Sequence, residues 1–177
     1  MILEEGPKVM EILHEAIQME VDGKEFYQRA GRESGNELAK KLFQSLADEE
    51  DDHRKKFEEI YGVLKKGQGW PDVKPPSGTK NRLKSIFAKA TRELGTGVKV
   101  AGDELEAIKV GLDMENKSYA FYQARSAEAA YPVEKEFYLA VAAEERGHYL
   151  ALVDSYEYLS DPVGWFVRTE HPSLDGA

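Results

Sequence analysis

The chain contains an internal duplication, which limits the folds it can adopt more than any other feature. Residues 16–64 align without gaps on residues 111–159 at a constant offset of 95, and 13 of the 49 aligned pairs are identical. A repeat of this kind marks one structural unit that is used twice. The chain is therefore expected to contain two similar units of about 50 residues that pack against each other.

Each unit has the pattern of two helices joined by a short turn. Apolar residues recur at intervals of three and four along both halves of each unit, which is typical of one face of an α-helix. Turn-forming residues interrupt this pattern at 34–36 in the first unit and at 130–132 in the second. No useful stretch shows the alternation of a β-strand. The pattern predicts two helical hairpins, at residues 8–65 and 103–160.

A long connection, residues 66–102, joins the two hairpins. It contains Pro75-Pro76-Ser77-Gly78, which cannot be helical, and then an amphipathic stretch at 80–94 that predicts a short helix. A C-terminal tail, residues 161–177, follows the second hairpin. Two hairpins joined by a long crossover are typical of a ferritin-like four-helix bundle. We therefore expect an all-α fold with one ferritin-like domain over residues 1–177.

Composition excludes several classes of site and partner. The 33 acidic and 24 basic residues give a formal charge of −9, which argues against binding to nucleic acid or to an anionic membrane. The absence of cysteine excludes thiolate metal sites and iron–sulfur clusters. No apolar stretch approaches the ~18–20 residues of a membrane span, and no secretory signal is visible, so we expect a cytoplasmic protein.

Six ionisable residues stand where the helical pattern requires apolar ones. They are Glu20, Glu50, His53, Glu115, Glu145 and His148. Burying four carboxylates close together is not credible without countercharge, so these groups must be paired, protonated or bound to metal. A surface network of ion pairs is the alternative. Glu11 and His14 have the same spacing as Glu50 and His53 but no equivalent in the second repeat, and we expect that pair at the surface.

The positions of these residues favour a metal site. Glu20 and Glu50 each lie fifteen residues from Gly35, so an antiparallel hairpin places them at the same height. Glu115 and Glu145 have the same relation to Ala130. Each histidine follows a glutamate by three residues and shares its face of the helix. Two divalent ions would balance the four carboxylates, which is the pattern of di-iron and di-manganese bundle proteins.

These residues resemble those of the ferritin-like di-iron carboxylate proteins, and most of all the rubrerythrins and their relatives without a rubredoxin module. The matching segments are Glu20, Glu50-Asp51-Asp52-His53, Glu115 and Glu145-Arg146-Gly147-His148. The resemblance implies two Fe ions per chain, although Mn or Zn could take the same ligands. It also implies that Glu50 and Glu145 bridge the metals, that Glu20 and Glu115 are terminal ligands, and that each metal has one histidine.

Two differences from rubrerythrins bear on function. The chain has no cysteine-ligated rubredoxin module, so its electrons must come from an external donor protein. Rubrerythrins usually carry a further glutamate one turn after the ligand on the third helix of the bundle, where this chain has Ser118, with Gly23 at the equivalent place on the first helix. The remaining six ligands are closer to bacterioferritin-type and oxidase-type centres. We expect a homodimer.

Two tyrosines are predicted to act on the ligands. Tyr27 and Tyr122 lie seven residues after Glu20 and Glu115, two helical turns along the same face. Their phenols are candidates to hydrogen-bond ligand carboxylates and so to tune the metals. Ordinary core packing is the alternative role. Glu49 and Glu144, directly before the two bridging glutamates, are further candidates to orient the histidines.

Four functions are compatible with such a centre. The leading hypothesis is a rubrerythrin-like oxidoreductase, of peroxidase or oxidase type, that reacts with H₂O₂ or O₂. Oxidation of ferrous iron for storage or delivery is the first alternative. A di-metal oxidase or oxygenase of unknown substrate and a static Mn or Zn site are the others.

Overall fold

The structure is a computed structural model that describes residues 5–100 and 102–170. Four long helices form the bundle, and two shorter ones lie in the crossover and at the C-terminal end. They are α1 (Glu5–Glu33), α2 (Glu37–Lys65), α3 (Thr79–Leu94), α4 (Gly102–Glu128), α5 (Pro132–Ser160) and α6 (Pro162–Glu170). Every regular element in the described ranges is a helix, so the predicted all-α class is confirmed.

Tight turns close both hairpins, so that α1 packs on α2 and α4 packs on α5. The Asn36 side chain caps α2 by accepting a hydrogen bond from the Ala39 N–H at 3.0 Å. The Asn36 N–H donates to Glu104 Oε1 at 2.6 Å, which fastens the first turn to the beginning of α4. Pro132 begins α5, where its fixed φ suits the first helical turn.

The crossover runs along the length of the bundle. Trp70 packs on Phe137 and Tyr138 near the turn of the second hairpin, whereas α4 begins beside the turn of the first. Between these points α3 lies across α5 and α2. Gly78 precedes α3 with φ 93°, a conformation that a residue with a Cβ adopts only under strain. This glycine lets the chain turn sharply into the helix.

The apolar core is divided into two clusters by a polar layer. The first cluster, near the turn of the first hairpin, includes Leu42, Phe43, Leu46, Ile108 and Leu152. The second cluster, near the turn of the other hairpin, includes Leu13, Phe57, Ile60, Phe137 and Val141. Both Glu50 and His53 lie between the two clusters along α2, and Glu145 and His148 lie between them along α5. The six ionisable residues therefore occupy the middle of the bundle.

The segment predicted as a tail, 161–177, begins with a helix. Asp161 caps this helix, α6, by accepting a hydrogen bond from the Gly164 N–H at 2.9 Å. Trp165 contacts Phe87 and Tyr158 edge-on, with ring centroids 5.4 Å away in each case. The helix is thus held against α3 and α5, and residues 171–177 lie outside the described part of the chain. None of the helices in residues 5–100 and 102–170 combines the length and hydrophobicity that crossing a membrane requires.

Candidate metal centre

All six predicted residues meet in the polar layer, and each is at most 4% exposed. Their ligand atoms form two groups, within each of which the atoms lie less than 4.8 Å apart. One group consists of Glu20, Glu50, His53 and Glu145, and the other of Glu50, Glu115, Glu145 and His148. Glu50 and Glu145 belong to both groups. The arrangement is that of two neighbouring cation sites that share two carboxylates.

Both histidines present the same ring nitrogen to the carboxylates. His53 Nδ1 lies 3.0 Å from Glu145 Oε1 and 3.4 Å from Glu20 Oε2. His148 Nδ1 lies 3.4 Å from Glu50 Oε1 and 3.4 Å from Glu115 Oε2. Each imidazole thus contacts a carboxylate on the other hairpin, so the centre is assembled only when the hairpins pack together.

Many polar atoms of the centre are buried without a hydrogen-bond partner among the described residues. They include Glu20 Oε2, Glu115 Oε2, both carboxylate oxygens of Glu145 and both ring nitrogens of His53 and His148. Such atoms are costly to bury unless something binds them. Oxygen and imidazole nitrogen donors suit Fe, Mn and Zn in the divalent state. The residues present therefore fit two divalent metal ions.

The charges of the centre demand compensation even without metal. Burial raises the pKa of Glu20 well above its usual 4.5, and the charges of Glu50 and Glu145 raise it further. Burial raises the pKa of Glu115 in the same direction. Burial alone would lower the pKa of each histidine, but nearby carboxylates outweigh it and raise the pKa well above 6.5. Protons are thus bound by the same carboxylates and imidazoles that would bind the metals.

The shared carboxylates behave in the opposite way. Burial opposes their ionisation, but the nearby polar groups of Glu20 and His148 outweigh it and hold the pKa of Glu50 below its usual value. Burial and the charge of Glu50 act to raise the pKa of Glu145, but the two neighbouring histidines have the larger effect, and the net pKa is below its usual value. The two carboxylates at the centre of the site stay ionised, as bridging ligands must be.

Each predicted tyrosine reaches across to a carboxylate of the other hairpin. The Tyr27 hydroxyl donates a hydrogen bond to Glu115 Oε1, and the Tyr122 hydroxyl donates one to Glu20 Oε1. In both glutamates the second oxygen, Oε2, lies next to a histidine Nδ1 instead. The tyrosines therefore fix the orientation of the two carboxylates and leave one oxygen of each for a metal. Burial raises the pKa of both phenols, so they remain donors.

The crossover helix covers the face of the centre formed by α2 and α5. The Thr79 hydroxyl donates to Glu49 Oε2 at 2.5 Å, and the Thr79 N–H donates to Glu144 Oε2 at 3.2 Å. Arg82, one turn further on, forms an ion pair with Glu49. Sequence reasoning missed Thr79 and Arg82, because nothing in a single amphipathic helix indicates which surface it will cover. Beside this contact, an open cavity of about 480 Å³ leads to His53.

The structure also places two further pairs of residues that the sequence singled out, Gly23 with Ser118 and Glu11 with His14. Gly23 lies against a shared ligand, since a Cβ there would be 3.5 Å from Glu50 Cδ, and Ser118 is half-buried. Glu11 and His14, which have the spacing of a metal-binding pair, are both exposed. They are therefore a built-in control for the buried pairs with the same spacing.

Comparison with known proteins agrees with this geometry. The sequence model of a family described as Rubrerythrin matches residues 11–156, which include all six residues of the centre and both tyrosines. No individual curated protein and no solved structure matches the chain significantly. The matched region covers most of the chain, and the family implies a ferritin-like protein with a di-iron centre. The chain belongs to the rubrerythrin family.

Proposed function

We propose that this protein is a non-haem di-iron oxidoreductase that reduces H₂O₂ or O₂ with electrons from an external donor protein. The observation that carries the proposal is the pair of buried four-residue groups that share Glu50 and Glu145. A site that only needed to neutralise its own charges would not require two adjoining sets of ligands. Two adjoining metals can together supply the two electrons that reduction of a peroxide consumes.

In this proposal Glu20 and His53 would hold one metal, and Glu115 and His148 would hold the other. Glu50 and Glu145, which belong to both groups, would contribute to both sites. Bound iron would supply reversible one-electron oxidation at each position, and the chain supplies everything else. The apolar clusters on either side exclude bulk water, and the hydrogen bonds from Tyr27 and Tyr122 hold the terminal glutamates in place.

The source of electrons is proposed to be a separate one-electron carrier protein. The chain has no cysteine, so it contains no rubredoxin-type centre of its own. Reduction of one H₂O₂ to two waters takes two electrons and two protons. A carrier that delivers electrons singly would therefore have to react twice in each turnover. We also propose that the protein acts as a homodimer.

Metal analysis combined with rapid kinetics tests the proposal. Protein purified without oxygen should bind two irons per chain, and H₂O₂ should oxidise them faster than O₂ does. The double variant Glu50→Gln/Glu145→Gln should bind little iron, whereas the matched control Glu11→Gln/His14→Asn should behave like the parent. Fewer than one iron per chain in the parent, or equal iron binding by the two double variants, would contradict the proposal.

Ferrous-iron oxidation for storage is the second candidate, and Ser118 is the observation that favours it. With serine instead of a further glutamate, the centre keeps the six ligands of simpler iron-oxidising sites. Size-exclusion chromatography and iron loading separate the two functions. A storage protein would form a large shell and retain iron far beyond two ions per chain. A homodimer that returns to the ferrous state when a reductant is added would favour peroxide or O₂ reduction.

A further inference from the structure

A row of three aromatic residues connects the metal centre to the surface. The Tyr122 hydroxyl donates a hydrogen bond to Glu20, one of the candidate ligands. The Tyr122 ring stacks on the ring of Tyr138, with centroids 6.3 Å apart and an angle of 19° between the planes. Tyr138 in turn contacts Trp70 of the crossover, at 5.7 Å between centroids. Trp70 is partly exposed, whereas both tyrosines are buried. We call Tyr122, Tyr138 and Trp70 the aromatic row.

The positions related to these three by the offset of 95 do not form such a row. Shifting each number by 95 gives Tyr27, Phe43 and, for Trp70, Trp165. Tyr27 stacks on Phe43 with centroids 6.0 Å apart, in the geometry that Tyr122 adopts on Tyr138. Trp165 instead packs on Phe87, Tyr158 and Phe166. A phenylalanine is far harder to oxidise than a tyrosine or a tryptophan, so Tyr27, Phe43 and Trp165 offer no continuous path of oxidisable side chains.

Packing does not explain the hydroxyl of Tyr138. Phe43 shows that a phenylalanine occupies the equivalent place, and the buried Tyr138 hydroxyl has no hydrogen-bond partner among the described residues. Burying a hydroxyl in this way costs stability. The side chain borders a cavity of about 190 Å³ that Arg125 and Glu134 also line. This cavity is large enough for water.

We propose that Trp70, Tyr138 and Tyr122 carry single electrons from a donor protein at the surface to the metal centre. This inference rests on the proposed redox function and adds the site at which electrons enter. It also explains why the two repeats differ at Phe43 and Tyr138.

Each transfer is balanced in electrons and protons. With peroxide as the oxidant at a loaded centre, Tyr122 would give up one electron, and its phenol proton would move along its hydrogen bond to Glu20. Tyr138 then returns an electron to Tyr122, which recovers its proton, while the Tyr138 proton passes through cavity water towards Glu134. Trp70 then gives one electron to Tyr138, which recovers its proton, and the donor protein returns one electron to Trp70, which keeps its indole proton throughout. The net result is one electron moved inward with no net change in protons on the row.

The absence of cysteine makes a direct test possible. Asp72 is exposed and lies two residues after Trp70, so Asp72→Cys provides a single thiol for attaching a ruthenium polypyridyl photo-oxidant. A light flash with a quencher then generates a one-electron oxidant beside Trp70 in the full chain. Loading with Zn²⁺ fills the metal sites without redox chemistry. Transient absorption and electron paramagnetic resonance distinguish tryptophan radicals from tyrosyl radicals.

The oxidant draws an electron outward, and the same three side chains carry electrons in either direction, so we expect a tryptophan radical that decays as a tyrosyl radical forms. Tyr138→Phe should retain the tryptophan radical and lose most of the tyrosyl signal, and Trp70→Phe should lose both. Trp165→Phe and Tyr158→Phe, which alter the other aromatic cluster, are the matched controls and should give the parent signals. The inference would be overturned if Tyr138→Phe kept the full tyrosyl signal, or if a control variant lost that signal as Tyr138→Phe is expected to. A parent protein that forms no tyrosyl radical would also overturn it.

The zinc-loaded protein also separates this inference from the proposed function. Radical transfer along the row in a protein that fails to reduce peroxide would support the row and reject the peroxide chemistry. Peroxide reduction by iron-loaded Tyr138→Phe, with the donor re-reducing the centre at the parent rate, would reject the row and leave the proposed function in place.

Discussion

The imidazole rings of His53 and His148 stack across the middle of the bundle, with centroids 5.6 Å apart and planes 14° apart. The two residues are equivalent in the duplicated sequence, so the pseudo-twofold axis of the molecule passes between them. Neighbouring carboxylates raise the pKa of both rings. Binding to a metal requires each ring to be neutral, so protons and metals compete for this pair.

Metal affinity is therefore expected to rise with pH. Protons occupy His53 and His148 up to values above the ordinary histidine pKa of 6.5, because nearby carboxylates favour the charged rings despite burial. Burial also keeps protons on Glu20 and Glu115. Binding of two metals should release up to about four protons at near-neutral pH. Calorimetry of Zn²⁺ binding in buffers with different ionisation enthalpies measures this release, and an affinity independent of pH would contradict it.

Shared and terminal ligands should respond differently to substitution. Glu50 belongs to both four-residue groups, so Glu50→Gln is expected to weaken both metal sites. Glu20 belongs to one group, so Glu20→Gln should weaken one site and leave the other largely occupied. Metal content after dialysis checks the difference, with the exposed Glu11→Gln as the control. Identical losses in the Glu20 and Glu50 variants would show that the sites do not share ligands in this way.

Removing one tyrosine hydroxyl should weaken metal binding without removing a ligand. Tyr27→Phe deletes the hydrogen bond that orients Glu115, and we expect an affinity about 10–100-fold lower, as for other groups that orient metal ligands. Tyr158→Phe is the matched control. Its hydroxyl donates to the Gly95 carbonyl oxygen away from the centre, so its loss should cost about 1 kcal/mol of stability and leave metal affinity unchanged. Competition with a chelator measures both affinities.

The contact between the crossover and the centre should matter for stability. Thr79→Val keeps the side-chain shape but removes the hydroxyl that donates to Glu49, and leaving that carboxylate less well paired should cost about 1–3 kcal/mol. Thr79→Ser retains the hydroxyl and should cost less. Urea denaturation of the metal-free protein measures the free energy of unfolding of each variant. Equal stability of the valine variant and the parent would mean that Arg82 alone holds Glu49.

The duplication allowed much of the bundle to be predicted from the sequence. A repeat with one offset and a helical period places Glu20, Glu50 and their partners at the same height, because each lies fifteen residues from a turn. The structure brings these residues together in the polar layer. Such a prediction needs only local periodicity and the antiparallel geometry of a hairpin.

The remaining features depend on contacts that local patterns do not encode. The docking of Thr79 on Glu49 depends on where the crossover runs, and many paths join the same two hairpins. Helix α6 has nine residues, too few to be stable alone, so its structure depends on the packing of Trp165 against Phe87 and Tyr158. The contact of Trp70 with Tyr138 likewise joins residues that are distant in sequence.

The crossover also has a genetic consequence. If the two hairpins were separate copies of one polypeptide, every substitution would appear twice, once on each side of the axis. Because the crossover joins them in one chain, each half can mutate independently while the ligands stay paired. The two halves differ in this way at three equivalent pairs of positions, which are Phe43 and Tyr138, Ala16 and Gly111, and Gly23 and Ser118. Fusion thus allows one side of a symmetric metal centre to acquire a role that the other side does not share.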